Sequence, residues 1–415
     1  MIDASVPAAR AVLQRLGKFL DRFAGCFGRR AQREGASRYL QGILNDSERK
    51  SMQPMEARLP LNDAASYQRL QHFITNAPWS TTPVWTRLRV ELPVRRGVLL
   101  VDETSFPKYG THSVGVVRQY CGALGKIANC QVAVSTALLA AGLVWPTTME
   151  LYLPQEWAQD PDRRARAGIP PRIPFRPKWR IALTHIRQAR AAGLQIEGVL
   201  ADAAYGNVQA FRTAVARMGL PYAVGVAKRL AVTVTGARRS YQIGRLIKRL
   251  PTASWRRVCW AQGTKGPLAA RFAALRVRPT NSRAECWLLC ERPLANHGER
   301  KAYLLNLPAS ASLKALVRLA RGRWPIEHQY RELKDELGLD HFEGRSYRGW
   351  NHHAVLAAMT FTFLQLERRR GTKPLPTLPE VRNWIREIVA ALFLLERPEW
   401  LKLLMSFLSN PPLRI

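Results

Sequence analysis

Two short apolar runs constrain what this chain can fold into more than any other feature. Gly97-Val98-Leu99-Leu100-Val101-Asp102 and Ile196-Glu197-Gly198-Val199-Leu200-Ala201-Asp202 each read as a buried strand ending in an aspartate. Lys178 to Ala192, between them, reads as a helix. Parallel neighbours need a long connection, so strand, helix and strand predict a parallel pair and an α/β fold. In open α/β sheets, ligands bind in the crevice beyond the strand ends, which places Asp102 and Asp202 where chemistry would occur. Taken singly, either aspartate is as well explained as a turn or cap residue.

The rest of the chain falls into segments around this pair. Residues 1–90 are basic and helical in pattern, with helices expected over 8–24, 29–44 and 67–73 and a cap at Asn45-Asp46-Ser47-Glu48. This segment is expected to be a DNA-binding domain, against the plainer reading of a helical scaffold packed on the core. Residues 91–227 form the first part of that core, with further strands at 114–120, 130–139 and 222–226. The first three strands are expected to form an antiparallel meander, and Pro154 to Pro177 a loop. Residues 228–308 carry short alternating runs broken by Gly, Pro and Arg, which reads as a β-rich insertion. Residues 309–370 complete the core, with Ser312 capping one helix and a long apolar helix over 352–370. Residues 371–415 are a C-terminal helical segment opened by a capping box at Thr377-Leu378-Pro379-Glu380. The tail after Pro411 is expected to be loose.

Charge narrows the partners. The 415 residues hold 64 Lys+Arg against 30 Asp+Glu, a formal net charge of +34. Such an excess is expected to bind a polyanion, and nucleic acid fits best. A membrane-surface protein would gather its basic residues on one helix, whereas here arginine runs from Arg10 to Arg414. The run Val132–Trp145 is too short to span a bilayer as a helix, and Met1-Ile2-Asp3 does not begin a secretory leader. A cytoplasmic, nucleoid-associated bacterial protein is expected. The six cysteines lack zinc spacing and read as free thiols. Gly122-Ala123-Leu124-Gly125-Lys126 lacks the spacing of a phosphate-binding loop, so no nucleotide cofactor is expected.

A third carboxylate lies in Gly322-Arg323-Trp324-Pro325-Ile326-Glu327-His328-Gln329-Tyr330-Arg331-Glu332-Leu333-Lys334. Pro325 suits the first turn of a helix. Ile326, Tyr330, Leu333 and Leu337 recur at helical spacing and give one apolar stripe, with Glu327, Arg331 and Lys334 on a neighbouring face. Alone, that face would be an ordinary solvated one with ion pairs along the helix. With Asp102 and Asp202 it completes a set of three carboxylates in a basic chain. Hard oxygen ligands of this kind suit Mg²⁺ or Mn²⁺, and two such ions serve phosphoryl transfer.

These residues carry a family resemblance. The chain resembles DDE-type transposases of bacterial insertion sequences. It is similar to the group whose glutamate lies in a Tyr-(2)-Arg-(3)-Glu-(6)-Lys signature behind a β-rich insertion. Arg323, Glu327 and Lys334 match three signature positions, and Ala320 stands at the tyrosine position. The surroundings Val101 to Lys108, Ser113 to Val116, Gln119 to Gly122, Ala201 to Gly206 and Gly338 to Arg345 agree with it in order and spacing. The resemblance spans roughly residues 30 to 370 and implies an RNase H-like core. It further implies that Asp102, Asp202 and Glu327 hold two Mg²⁺ (or Mn²⁺) ions. The chain would nick element ends and join the 3′-hydroxyls to target DNA, acting as a homodimer on double-stranded DNA. Arg323 and Lys334 would grip phosphates, with Arg331, Lys108 and Lys126 as further DNA contacts. His112, Trp324 and Trp350 are weaker candidates, and His352 and His353 read as capping or packing residues. The rival readings are an RNase H-like nuclease or resolvase that does not join ends, and a catalytically inactive DNA-binding relative.

Overall fold

A computed structural model of the protein describes residues 5–45, 49–57, 59, 64–263, 266–280, 282–294, 299–371 and 375–395. Asp46–Glu48 of the expected cap, 372–374 of the linker and the tail from 396 onward lie outside the described residues. The sheet begins with β1 (Arg96–Pro107), β2 (Val117–Cys121), β3 (Lys126–Ala140), β4 (Leu143–Leu151), β5 (Gln195–Ala201) and β6 (Tyr222–Gly225). β5 runs parallel to β1, and β6 parallel to β5. The long β3 pairs antiparallel with β1 on one edge, and with β2 and then β4 along the other. The meander expected from the first three strands is therefore corrected: the first strand neighbours the third. β4 was not expected at all. It returns through Ala141 and Gly142, both at positive φ (51° and 78°), as a two-residue hairpin turn requires.

Asp102 also departs from its expected place, since it lies inside β1. The parallel ladder to β5 stops at Leu100↔Leu200, while the ladder to β3 continues to Pro107↔Cys130. The aspartate thus stands where one neighbour leaves and the other remains.

The β-rich segment extends the same sheet. It holds β7 (Ala231–Val234), β8 (Ser240–Gln242), β9 (Arg256–Gly263), β10 (Gly266–Pro279), β11 (Cys286–Arg292) and β12 (Lys301–Leu305). β12 pairs antiparallel with β6 through Leu304↔Val224 and Leu305↔Ala223, so the described residues place twelve strands in one sheet.

Five N-terminal helices precede the sheet: α1 (Ser5–Asp21), α2 (Arg30–Leu44), α3 (Met52–Ala57), α4 (Ala64–Thr75) and α5 (Thr81–Val90). The stretch expected to be a loop instead holds α6 (Gln155–Gln159) and α7 (Pro161–Ala167). Asp160 caps α7 by accepting from the Arg163 N–H at 2.9 Å, and Gly168 ends it at φ 63°. The crossover is α8 (Lys178–Ala191). After β5 come α9 (Ala203–Gly206) and α10 (Gln209–Arg217), and inside the β-rich segment α11 (Ile243–Arg249). α12 (Leu313–Ala320), α13 (Pro325–Arg331), α14 (Tyr347–Arg368) and α15 (Leu378–Leu395) close the chain. The Ser312 hydroxyl caps α12, and Thr377 and Glu380 form the expected reciprocal cap of α15.

Alternation along the strands divides the core in two. Leu100 and Leu200 face a cluster shared with α13, α14 and the N-terminal helices. Leu99, Val101, Val199 and Ala201 face a second cluster under α8, α10 and α11. α14 is buried on all sides along most of its length, which suits a central helix. It packs against α2, α4, α5, β4 and α15, so the N-terminal helices are joined to the core through it.

Candidate active site

The register of the two parallel strands brings the aspartates together. Leu100 and Leu200 are partners, and Asp102 and Asp202 each lie two residues further on. Side chains two apart share a face, so both carboxylates project to the side that α13 covers. Asp202 is also a cap: its Oδ1 accepts from the Ala204 N–H at 2.9 Å and starts α9. Close packing fixes that turn, because a Cβ added to Gly206 would meet the Gly225 carbonyl of β6.

The third carboxylate arrives on α13, with Pro325 in its first turn as expected. Ile326 and Tyr330 on α13, and Leu333 and Leu337 in and after the π turn (Glu332–Glu336) that continues it, are all buried. Each such side chain stabilises by about 1.5–3 kcal/mol, enough to hold a helix whose other face is charged. The Tyr330 hydroxyl meets the Ser135 hydroxyl at 2.7 Å, and Ser135 is the ladder partner of Asp102. This bond pins α13 beside the aspartate, leaving the Glu327 side chain half exposed over the same cleft.

Arg323 lies in a single 3-10 turn between α12 and α13. Its guanidinium donates to Asp102 Oδ2 and to Glu327 Oε1, each at 2.5 Å. Burial works against its charge, but Asp102, Glu327 and Asp202 outweigh that and hold its pKa above the ordinary value. Asp102 shows the opposite balance. Burial pushes its carboxyl up to about 7, against the pull of Arg323 and with a further push from Asp202.

Two clefts meet at these residues. One, of about 690 Å³, is lined by the three carboxylates together with Tyr120, Arg331 and Lys334. The other, of about 500 Å³, shares Asp202, Arg323 and Glu327 and continues past Trp324, Tyr303 and Lys228. The donor set, three carboxylates converging from two strands and a helix, fits hard divalent cations. Among the described residues no three acidic, His or Cys side chains close on a single point, because Arg323 lies between Asp102 and Glu327.

The expected DNA contacts are distributed unevenly. Arg323, Arg331 and Lys334 line the first cleft. Lys334 Nζ also donates to the Ser105 carbonyl at 2.8 Å and lies over the Phe106 ring. Lys126 is exposed beyond the turn of the β2–β3 hairpin, whose Tyr120, Gly122 and Ala123 line that cleft. Lys108 lines neither cleft, and its ammonium donates to the Phe342 carbonyl at 2.7 Å. His112 is exposed and away from both. Trp324 is 62% exposed at the second cleft, whereas Trp350 is 2% exposed and packs edge-on against Phe106, so a stacking role for it is corrected to a core role. His352 and His353 are buried packing residues, as expected. Sequence reasoning missed Tyr330 as the anchor of α13, and it missed the cations of the β-rich segment. Tyr330 was visible only as part of an apolar stripe, and the cations are scattered over residues 228–301.

A family described as DDE superfamily endonuclease matches residues 22–277. That stretch includes Asp102 and Asp202 and stops before Glu327. A relative from Microchaete diplosiphon, named "Probable transposase for insertion sequence element IS701", is 33% identical over 177 residues. The match covers 41% of this chain and 43% of the relative, so the chain spans less than half of that protein's length. The family match covers more than half of the 415 residues, and the chain belongs to the DDE superfamily endonuclease family, whose fold implies an RNase H-like core.

Proposed function

We propose that this DDE superfamily endonuclease is a DNA transposase, which cleaves the ends of an insertion sequence and joins the 3′-hydroxyl ends to target DNA. The observation that carries the reading is the meeting of Asp102, Asp202 and Glu327 at one cleft in a chain of net charge +34. Likeness to the IS701 protein supports it. Asp102, Asp202 and Glu327 would hold two Mg²⁺ (or Mn²⁺) ions, which when bound activate the attacking oxygen and stabilise the leaving one.

The chain's own residues do the positioning. Lys334 and Arg331 steady phosphates along the first cleft, Lys as a point charge and Arg as a planar fork. Arg323 sets the spacing of Asp102 and Glu327 and faces the scissile phosphate. In the first step water attacks phosphorus and the 3′-oxygen leaves as a hydroxyl. In the second that hydroxyl attacks a target phosphodiester and a target 3′-oxygen leaves. Both are in-line displacements at phosphorus, so one site serves both. Residues 1–90 supply DNA contact, 91–227 and 309–370 the catalytic core, 228–308 an insertion and 371–415 a helical end. Two ends must be paired, so a homodimer acting on nucleoid DNA in the cytoplasm is assigned.

Glu327→Gln is expected to abolish Mg²⁺-dependent nicking of a duplex carrying the DNA that flanks this reading frame. Binding to that duplex should stay within a few-fold. Nicking at the unaltered rate would sink the proposal. The family's description as an endonuclease favours a second reading, cleavage without joining. Incubating labelled ends with a supercoiled plasmid separates the two, because only a transposase yields joined product.

A further inference from the structure

The second cleft does not end at the carboxylates. It opens into a third, of about 640 Å³, and the two share Lys228, Glu299 and Arg300 as common walls. The trough so formed runs from Asp202, Arg323 and Glu327 out along the β-rich segment to α11. Its cations are Lys228, Arg229, Arg245, Lys248, Arg300 and Lys301, all exposed. Glu299 is the one acidic residue in the outer part, and it pairs with Lys228 at 3.3 Å. The other five cations have no ion-pair partner among the described residues. A run of unpaired cations holds many phosphates at once, through charge and without regard to base sequence.

We infer that this trough is the binding track for the phosphate backbone of a second DNA, the target, distinct from the first cleft that holds the end being cut. The inference rests on the proposed strand-joining reading and deepens it. Joining needs two DNAs delivered to the same reacting atoms. The carboxylates sit where two clefts converge and share Asp202, Arg323 and Glu327. The side with Lys334 and Arg331 faces one substrate, and the side with the free cations of the β-rich segment faces the other. Apart from Gln242, the described residues of the outer wall include no neutral polar side chain fit to read base edges, so they suit a target held by its backbone.

The test uses Arg245→Glu with Lys248→Glu, on the exposed side of α11 and clear of the carboxylates. A charge-matched control reverses Arg187 and Arg217, exposed on α8 and α10 and lining none of the three clefts. Nicking of an uncut flank duplex and joining of a pre-cut end to a supercoiled plasmid are measured in parallel. The α11 pair should lower joining by at least about tenfold and leave nicking within about two-fold, as expected for lost backbone contacts. The control should change neither. Retained nicking shows that the variant folds. Unchanged joining, or equal loss of both steps, overturns the inference. Plasmid capture by the protein bound to a pre-cut end is read separately in the Glu327→Gln background, where no chemistry is needed. There the α11 pair should weaken capture by at least about tenfold without loss of end binding and reduce the salt slope of capture by about two. Undiminished capture overturns the inference, whereas an unaltered protein that neither nicks nor joins overturns the transposase reading instead.

Discussion

Burial pushes the Asp102 carboxyl up to about 7, and Arg323 only partly opposes it. Its ionisation therefore weakens the fold. The native state binds this proton more tightly than the unfolded chain does, whose carboxyl titrates near 3.8. Stability from this group is thus full below about 4 and is lost as pH rises through about 7. Melted without added metal, the unaltered protein should lose this one contribution between pH 4 and pH 8, on the order of a few kcal/mol relative to a variant without the carboxyl. Asp102→Asn should therefore gain on the unaltered protein as pH rises and melt higher at pH 8, and parallel pH profiles in the two proteins would refute the account. At this scale much of the site was legible in the sequence. Asp102 and Asp202 end apolar runs, and Glu327 stands beside a helical stripe. The role of Arg323 as a bridge between Asp102 and Glu327 was not legible, because nothing local says which carboxylates a guanidinium will find.

Among the elements, α14 does the joining, and His353 shows how. Its Nδ1 accepts from the Tyr39 hydroxyl of α2 at 2.8 Å, while Nε2 donates to the carbonyls of Gly338 and Leu339 at 3.1 and 3.2 Å. A neutral ring satisfies all three partners, and one residue thereby ties together α2, α14 and the turn beyond the Glu327 helix. Burial lowers its pKa to about 4, from 6.5 for an exposed ring. The sign is opposite to that of Asp102: stability is present above 6.5 and lost as pH falls through about 4. His353→Gln should therefore show a shallower fall in melting temperature from pH 7 to pH 4 than the unaltered protein. His352 on the same helix is shifted alike, so the double variant should be shallower still. Long periodic elements such as α2, α8 and α14 were legible because their stripes repeat over several turns. β4 was not, because its hairpin turns on Ala141, a residue that rarely takes positive φ. α6 and α7 were hidden by the prolines around them, although Pro161 occupies a first turn where proline is welcome.

The whole molecule is a cation built on one sheet. If its charge serves DNA binding broadly, affinity for a random duplex should fall by at least about a thousandfold between 50 and 200 mM salt. Fluorescence anisotropy at several salt concentrations measures this, and a flat response would exclude a backbone-driven interface. The β-rich segment adds a consequence of a different kind. β6 and β12 are antiparallel neighbours, with Gly225 opposite Tyr303, so everything between them is topologically the loop of one hairpin. The chain leaves the core and returns to it at a single doorway. Lengthening such a loop adds only a slowly growing closure entropy. Asp202 lies before the doorway and Glu327 beyond it, so their spacing in space is independent of their spacing in sequence. The segment is in effect a socket: a foreign domain grafted between 226 and 300 should leave the carboxylates in register, provided that it keeps the face that β9 and β10 present to α12.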